Sequence, residues 1–180
     1  MENVGRIFAA VPLPTEVRMA LADRISSLTI PGKVVPRENW HLTLRFLGTV
    51  DEVTYERFLA GLSPIEHVPS FPIKLGGLGG FPNEGKATVL WAGIMEGVEE
   101  LGRLNEIVEE AAQAAGLEPE DRRYRPHLTL SRIRPPKDIG PLTAETLDLR
   151  WSCHEIMVYE SRLGGGGVRY EPLEMFSMLR

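Results

Sequence analysis

Trp40-His41-Leu42-Thr43-Leu44-Arg45-Phe46-Leu47-Gly48 and Arg125-Pro126-His127-Leu128-Thr129-Leu130-Ser131-Arg132 carry the same tetrapeptide, His-Leu-Thr-Leu. Both stretches read as β-strands, over Trp40 to Gly48 and over Pro126 to Ile133. Strand side chains alternate between faces, so His41 and Thr43 share one face while Leu42 and Leu44 share the other. His127 and Thr129 are opposed to Leu128 and Leu130 in the same way. Each strand therefore offers a leucine face to a core and a face carrying an imidazole beside a hydroxyl. Half of the 4 histidines lie in these two positions. An amphipathic strand with an exposed histidine would account for one copy, but not readily for two.

An imidazole pair with ordinary pKa values near ~6.5 supplies one general base and one general acid around neutral pH. A threonine hydroxyl two residues away donates a hydrogen bond to an oxygen that gains charge in a transition state. Two histidines and two hydroxyls, with no nucleophile among them, suit transfer at phosphorus. Here the sequence resembles the 2H phosphoesterases, defined by paired His-x-Thr/Ser-x motifs, and within them the branch of RNA 2′,3′-cyclic phosphodiesterases, also called 2′-5′ RNA ligases. The resemblance extends over nearly the whole chain. It takes in Arg6-Ile7-Phe8-Ala9-Ala10-Val11-Pro12-Leu13-Pro14, both motif stretches, Tyr159-Glu160-Ser161 and Tyr170-Glu171-Pro172-Leu173.

At 180 residues, 43% hydrophobic and 25% charged, the chain has the composition of a soluble globular protein able to bury a sizeable core. No apolar run approaches the ~20 residues of a membrane span, and the first residues show a strand pattern rather than a signal peptide. A single cysteine, Cys153, suits a reducing cytoplasm and reads as buried filler in an apolar strand. A net charge of −5 argues against wrapping long nucleic acid but leaves room for holding one RNA end. Arg122, Arg123, Arg125, Arg132 and Arg134 surround the second motif and can supply a local positive field.

The remaining elements follow from periodicity and punctuation. Arg6 to Leu13 reads as a strand, and Pro14 opens a helix over Glu16 to Ser27 with Val17, Met19, Leu21 and Ile25 at helical spacing. A short Lys33-Val34-Val35 strand lies within the loop 29–39. Asp51 caps a helix that runs to about Leu62, with Val53, Phe58, Leu59 and Leu62 inward. Loop 63–70 carries a solvated His67. Phe71 to Leu78 and Thr88 to Ile94 pair around a Gly-rich turn, which lacks the Lys-Ser/Thr ending and following helix of a phosphate loop and fits a bulged hairpin. Gly97 to Ala115 is the longest helix, stopped by Gly116. Loops cover 117–125 and 134–143. Two strands, about Ser152 to Leu163 and Val168 to Leu179, close the chain around Gly164 to Gly167, with His154 a minor site candidate. The mixture predicts an α+β fold with mainly antiparallel sheet. The duplicated motif fits a single domain, residues 1–180, made of two lobes with one motif each (41–44 and 127–130).

The resemblance implies two pseudo-symmetric lobes of antiparallel sheet, backed by helices, with both motif strands facing a central groove. It implies hydrolysis of an RNA-terminal 2′,3′-cyclic phosphate to a 2′-phosphomonoester without metal or cofactor, with His41 as general acid and His127 as general base. Thr43 and Thr129 bind the non-bridging oxygens, and Arg132 grips the phosphate. Strict alternation turns Arg132 away from His127, so that role requires a bulge or twist. Arg45 shares the face of His41 and Thr43 by alternation and is a secondary candidate for binding. Trp40 and Phe46 read as packing residues before base-stacking ones. A zinc hydrolase lacks a third ligand in the sequence. A module that binds RNA ends or nucleotides without turnover, and 2′-5′ ligation as the reverse reaction, remain as alternatives. Substrates expected are RNA ends, including tRNA fragments, or small cyclic nucleotides. A monomer with no membrane association is expected.

Overall fold

The computed structural model describes residues 2–180, and among them nine strands and three α-helices. In chain order these are β1 (Asn3–Pro12), α1 (Thr15–Ser26), β2 (Lys33–Val34), β3 (His41–Asp51), α2 (Glu52–Gly61), β4 (Phe71–Phe81), β5 (Ala87–Glu96), α3 (Val98–Ala114), β6 (His127–Lys137), β7 (Thr146–Cys153), β8 (Glu155–Gly164) and β9 (Gly167–Ser177). They form two antiparallel sheets, β3-β1-β8-β9 and β2-β6-β5-β4-β7. The expected α+β class with antiparallel sheet is the observed one. Each motif strand belongs to a different sheet, and β3 and β6 approach to within 8 Å between Cα atoms.

The leucine faces of both motifs enter the core: Leu42, Leu44, Leu128 and Leu130 are at most 3% exposed. α2 starts where Asp51 accepts a hydrogen bond from the Thr54 amide (2.8 Å). α3 ends in a Schellman turn: Gly116 at φ 100° bonds back to Gln113, and Leu117 bonds to Ala112. The Gly-rich stretch is part of β4, and its register shifts bear out a bulged hairpin. Gly79 packs there against the Trp91 ring, which a Cβ would meet at 2.3 Å.

Several expectations need correcting. Met19 and Val53 lie on the outer faces of their helices, at 61% and 43% exposure. β6 runs past Ile133 through Pro135 and Pro136 to Lys137, which pairs with Ala87. The stretch read as one strand from Ser152 is two: β7 ends at Cys153 in the five-stranded sheet, and β8 starts at Glu155 in the other. His154 is the single residue at which the chain changes sheets, its Nδ1 3.2 Å from the Ser152 carbonyl. Cys153 is buried as expected, its thiol pushed up to about 12 by that burial.

Candidate active site

Alternation holds for the first four residues of each motif strand and then slips. In β3, Thr43 pairs with Ala10 and Arg45 with Ala9, so Leu44 is an extra residue with no partner on β1. In β6, Thr129 pairs with Trp91 and Ser131 with Leu90, so Leu130 is the extra residue. Both are β-bulges at the same place in the repeat, and each turns two successive side chains inward. The freed carbonyls find partners: Leu44 O accepts from Asn105 Nδ2 (2.9 Å), and Leu130 O accepts from the Val35 amide (2.8 Å). The bulges explain the fate of the residues that follow. Phe46 and Arg132, five positions after each histidine, come onto the site face and are exposed; Arg45 and Ser131 turn into the interior.

Arg45 therefore does not share the face of His41, contrary to strict alternation. It is 8% exposed, paired with Glu109, and also donates to the Phe46 and Glu118 carbonyls. Burial raises the Glu109 carboxyl, but Arg45, the Glu120 amide and Gln113 outweigh it and hold the carboxyl below its usual value. Arg45 thus ties β3 to α3 and to the chain beyond it.

The two histidines are held alike. His41 Nδ1 lies 2.7 Å from the Asn39 carbonyl and His127 Nδ1 lies 2.7 Å from the Arg125 carbonyl. A carbonyl only accepts, so each Nδ1 carries the hydrogen and each neutral ring presents its Nε2 lone pair as an acceptor. Thr43 Oγ1 donates to His41 Nε2 at 2.8 Å. Burial lowers His41 to about 4, partly offset by the Asn39 bond and reinforced by the charges of Arg18 and His127. His127 is lowered by burial first, then by Arg125 and Arg132. With β3 and β6 within 8 Å of each other, the charge of His127 acts on His41 and that of Arg132 on His127, as two motifs bordering one groove would require.

The surroundings of the two rings differ. His41 lies against Phe8 (4.9 Å between centroids) and edge-on to Tyr170 (5.2 Å), with Tyr159 at 6.3 Å. Register places Phe8 between Phe46 on β3 and Tyr159 on β8, forming an aromatic floor across the first sheet. His127 stands edge-on to Phe81 (5.0 Å), which also neighbours Trp91 (5.3 Å) and the Arg125 guanidinium (5.1 Å). Tyr124, whose hydroxyl burial raises far above its ordinary value, donates to the Thr43 carbonyl (3.2 Å), fastening the approach to the second motif onto the first. Trp40 is a core residue at 2% exposure, whereas Phe46 at 61% lies open beside Phe8, the ring on which His41 packs. Tyr124, Asn39 and Arg18 had no motif to mark them. Among the described residues, no three His, Cys, Asp or Glu side chains gather to hold a metal ion.

Residues 14–165 match the family described as the 2′-5′ RNA ligase superfamily. The chain is 34% identical over 188 residues to the RNA 2′,3′-cyclic phosphodiesterase of Thermus thermophilus, covering 96% of this chain and 90% of that one. It is 37% identical over 122 residues to the enzyme of the same name from Aeropyrum pernix, covering 68% and 69%. The crystal structure of E. coli LigT complexed with 3′-AMP is similar at TM-score 0.85 and 26% identity, covering 99% of this chain and all of that one. One motif histidine from each of two antiparallel sheets, in a chain matched over most of its length, makes this protein a member of the 2′-5′ RNA ligase superfamily of 2H phosphoesterases.

Proposed function

We propose that the protein is a cyclic phosphodiesterase that opens an RNA-terminal 2′,3′-cyclic phosphate to a 2′-phosphomonoester without a metal ion. The observation that carries this reading is the pair of imidazoles, each with Nδ1–H fixed by a backbone carbonyl two residues upstream, which leaves Nε2 as the working atom, open on His127 and bonded to the Thr43 hydroxyl on His41. The activity shared by name among the curated relatives supports it. His127 Nε2 takes the proton of a water that attacks phosphorus in line with the bond to O3′. That bond breaks, and His41 Nε2–H gives its proton to O3′, leaving phosphate on O2′. Thr129 and Thr43 donate to the non-bridging oxygens, Thr43 by turning its hydroxyl from His41 Nε2. Arg132 neutralises the charge that builds there. The depressed pKa of His127 suits a base that must be neutral at pH 7. His41 must be protonated, and a phosphate anion beside it restores the affinity for a proton that burial removes.

An oligoribonucleotide ending in a 2′,3′-cyclic phosphate, incubated with the protein in EDTA and followed by phosphorus NMR, tests this. A 2′-phosphomonoester signal from wild type, reduced by ~10²-fold or more in both His41→Ala and His127→Ala, is expected. A 3′-phosphate product would keep the enzyme but reverse either the acid and base roles or the pose of the substrate. Binding without turnover would replace the enzyme by a binding module.

A further inference from the structure

Arg18 stands in the second turn of α1, its amide bonded to the Pro14 carbonyl (3.0 Å), directly beyond the end of β1 where Pro12 pairs with His41. Its guanidinium takes part in none of the ion pairs among the described residues, and its Nε is buried with no hydrogen-bond partner. A buried donor without a partner is uncommon, because its lost hydration is uncompensated until something accepts from it. α1 follows β1 at the end where Pro12 pairs with His41, and from there the Arg18 charge acts on both His41 and Tyr159, two of the rings on the aromatic side of the groove. Arg125 and Arg132 act on His127 instead. Each lobe therefore brings its own positive charge to its own histidine.

A cyclic phosphodiester carries a single negative charge, for which Arg132, two threonine hydroxyls and two imidazoles are already sufficient. A second guanidinium matches a second anion. With His41 protonating O3′, the ribose lies on the His41 side, and the chain leaves that ribose through its 5′ oxygen. The open ring of Phe46 on the same side offers a face for the terminal base.

We propose that Arg18 is a substrate-binding residue for the phosphate on the 5′ oxygen of the terminal nucleotide, and so selects oligoribonucleotide ends over nucleoside cyclic phosphates. This rests on the cyclic phosphodiesterase reading and names its substrate class. Three probes differ only at that oxygen: adenosine 2′,3′-cyclic phosphate, its 5′-phosphate, and the dinucleotide ApA ending in a 2′,3′-cyclic phosphate. Wild type is expected to prefer the two longer probes about tenfold or more in kcat/KM, chiefly through KM. Arg18→Ala brings that preference close to one, and Arg18→Lys retains part of it. Using the ratio cancels any effect of Arg18 on His41 that all probes share. A gain for the dinucleotide alone identifies an internucleotide diester; equal gains identify any phosphate at that oxygen. No preference in wild type, or a preference that survives Arg18→Ala, overturns the assignment. The same ratio read as Kd in a His127→Ala background gives the answer even if no probe is turned over, a result that would sink the enzymatic reading instead.

Discussion

His41 packs against the Phe8 and Tyr170 rings, and this burial, reinforced by the Arg18 charge, favours its neutral form, with a pKa of about 4. His127, lowered by burial and by Arg125 and Arg132, is also neutral at pH 7. If His41 must carry a proton and His127 must not, the competent free enzyme is a minor form at neutral pH. The expected kcat/KM profile is therefore highest on the acid side of ~6.5 and falls about tenfold per unit above the higher of the two pKa values. Substrate phosphate raises His41, so the alkaline limb of kcat should lie at higher pH than that of kcat/KM. Profiles with coincident limbs would separate His41 from the acid role. Arg132 gives a second prediction. Removing its charge in Arg132→Ala should cost ~10- to 100-fold in kcat/KM, and Arg132→Lys should recover only part, since an ammonium cannot form a bidentate pair. Legibility at this level was uneven. The repeat marked both histidines and both threonines, because alternation holds up to the fourth residue of each motif. Arg18 was invisible, since an arginine in an amphipathic helix is ordinary and only its missing partner distinguishes it.

The bulges at Leu44 and Leu130 decide which side chains reach the groove, and no residue type betrays them. Leucine followed by a polar residue looks the same in a straight strand, so alternation turned Arg45 toward the face of His41 and Arg132 away from that of His127, the reverse of the faces the bulges give them. Only the physical misfit of Arg132 pointed to a bulge in advance. The bulge in β3 depends on Asn105, whose amide satisfies the Leu44 carbonyl. Asn105→Leu should leave that carbonyl buried and unpaired, costing about 1–3 kcal/mol in chemical denaturation and lowering kcat by disturbing His41 and Phe46 together. Arg45→Ala, which leaves the half-buried Glu109 with only Gln113 and the Glu120 amide, should cost about 1–3 kcal/mol while leaving the KM of the remaining folded protein near that of wild type. A large KM rise at unchanged stability would return Arg45 to the binding site. β7 was missed for a related reason. With only His154 between β7 and β8 and no glycine or proline at the crossing, the sequence shows no punctuation where the sheets change.

Both histidines bind protons less readily in the folded protein than in the unfolded chain, whose imidazoles titrate near ~6.5. Between ~6.5 and about 4 the unfolded chain therefore holds more protons, and stability falls as pH falls through that window. Glu109, its carboxyl held low by Arg45, extends the loss below ~4.3. Denaturation midpoints measured from pH 7 to pH 4 should decline, and His41→Asn should flatten the slope; an unchanged slope would mean that His41 is not the group responsible. The separation of the two motifs was partly legible, since a duplicated motif in an α+β pattern already suggested one motif strand in each half, and each lies in its own sheet. The sheet order was not, because it depends on long-range pairing that brings the last strands beside the first. That pairing has a consequence during synthesis. β1 has β3 on one side, but its other edge is covered by β8, and the Tyr159 and Tyr170 rings that wall in His41 come from β8 and β9. A nascent chain still short of Glu155 holds both histidines yet has an unpaired strand edge and half of its aromatic floor missing. The growing polypeptide is thus expected to stay inert toward the RNA around the ribosome until its final hairpin is released.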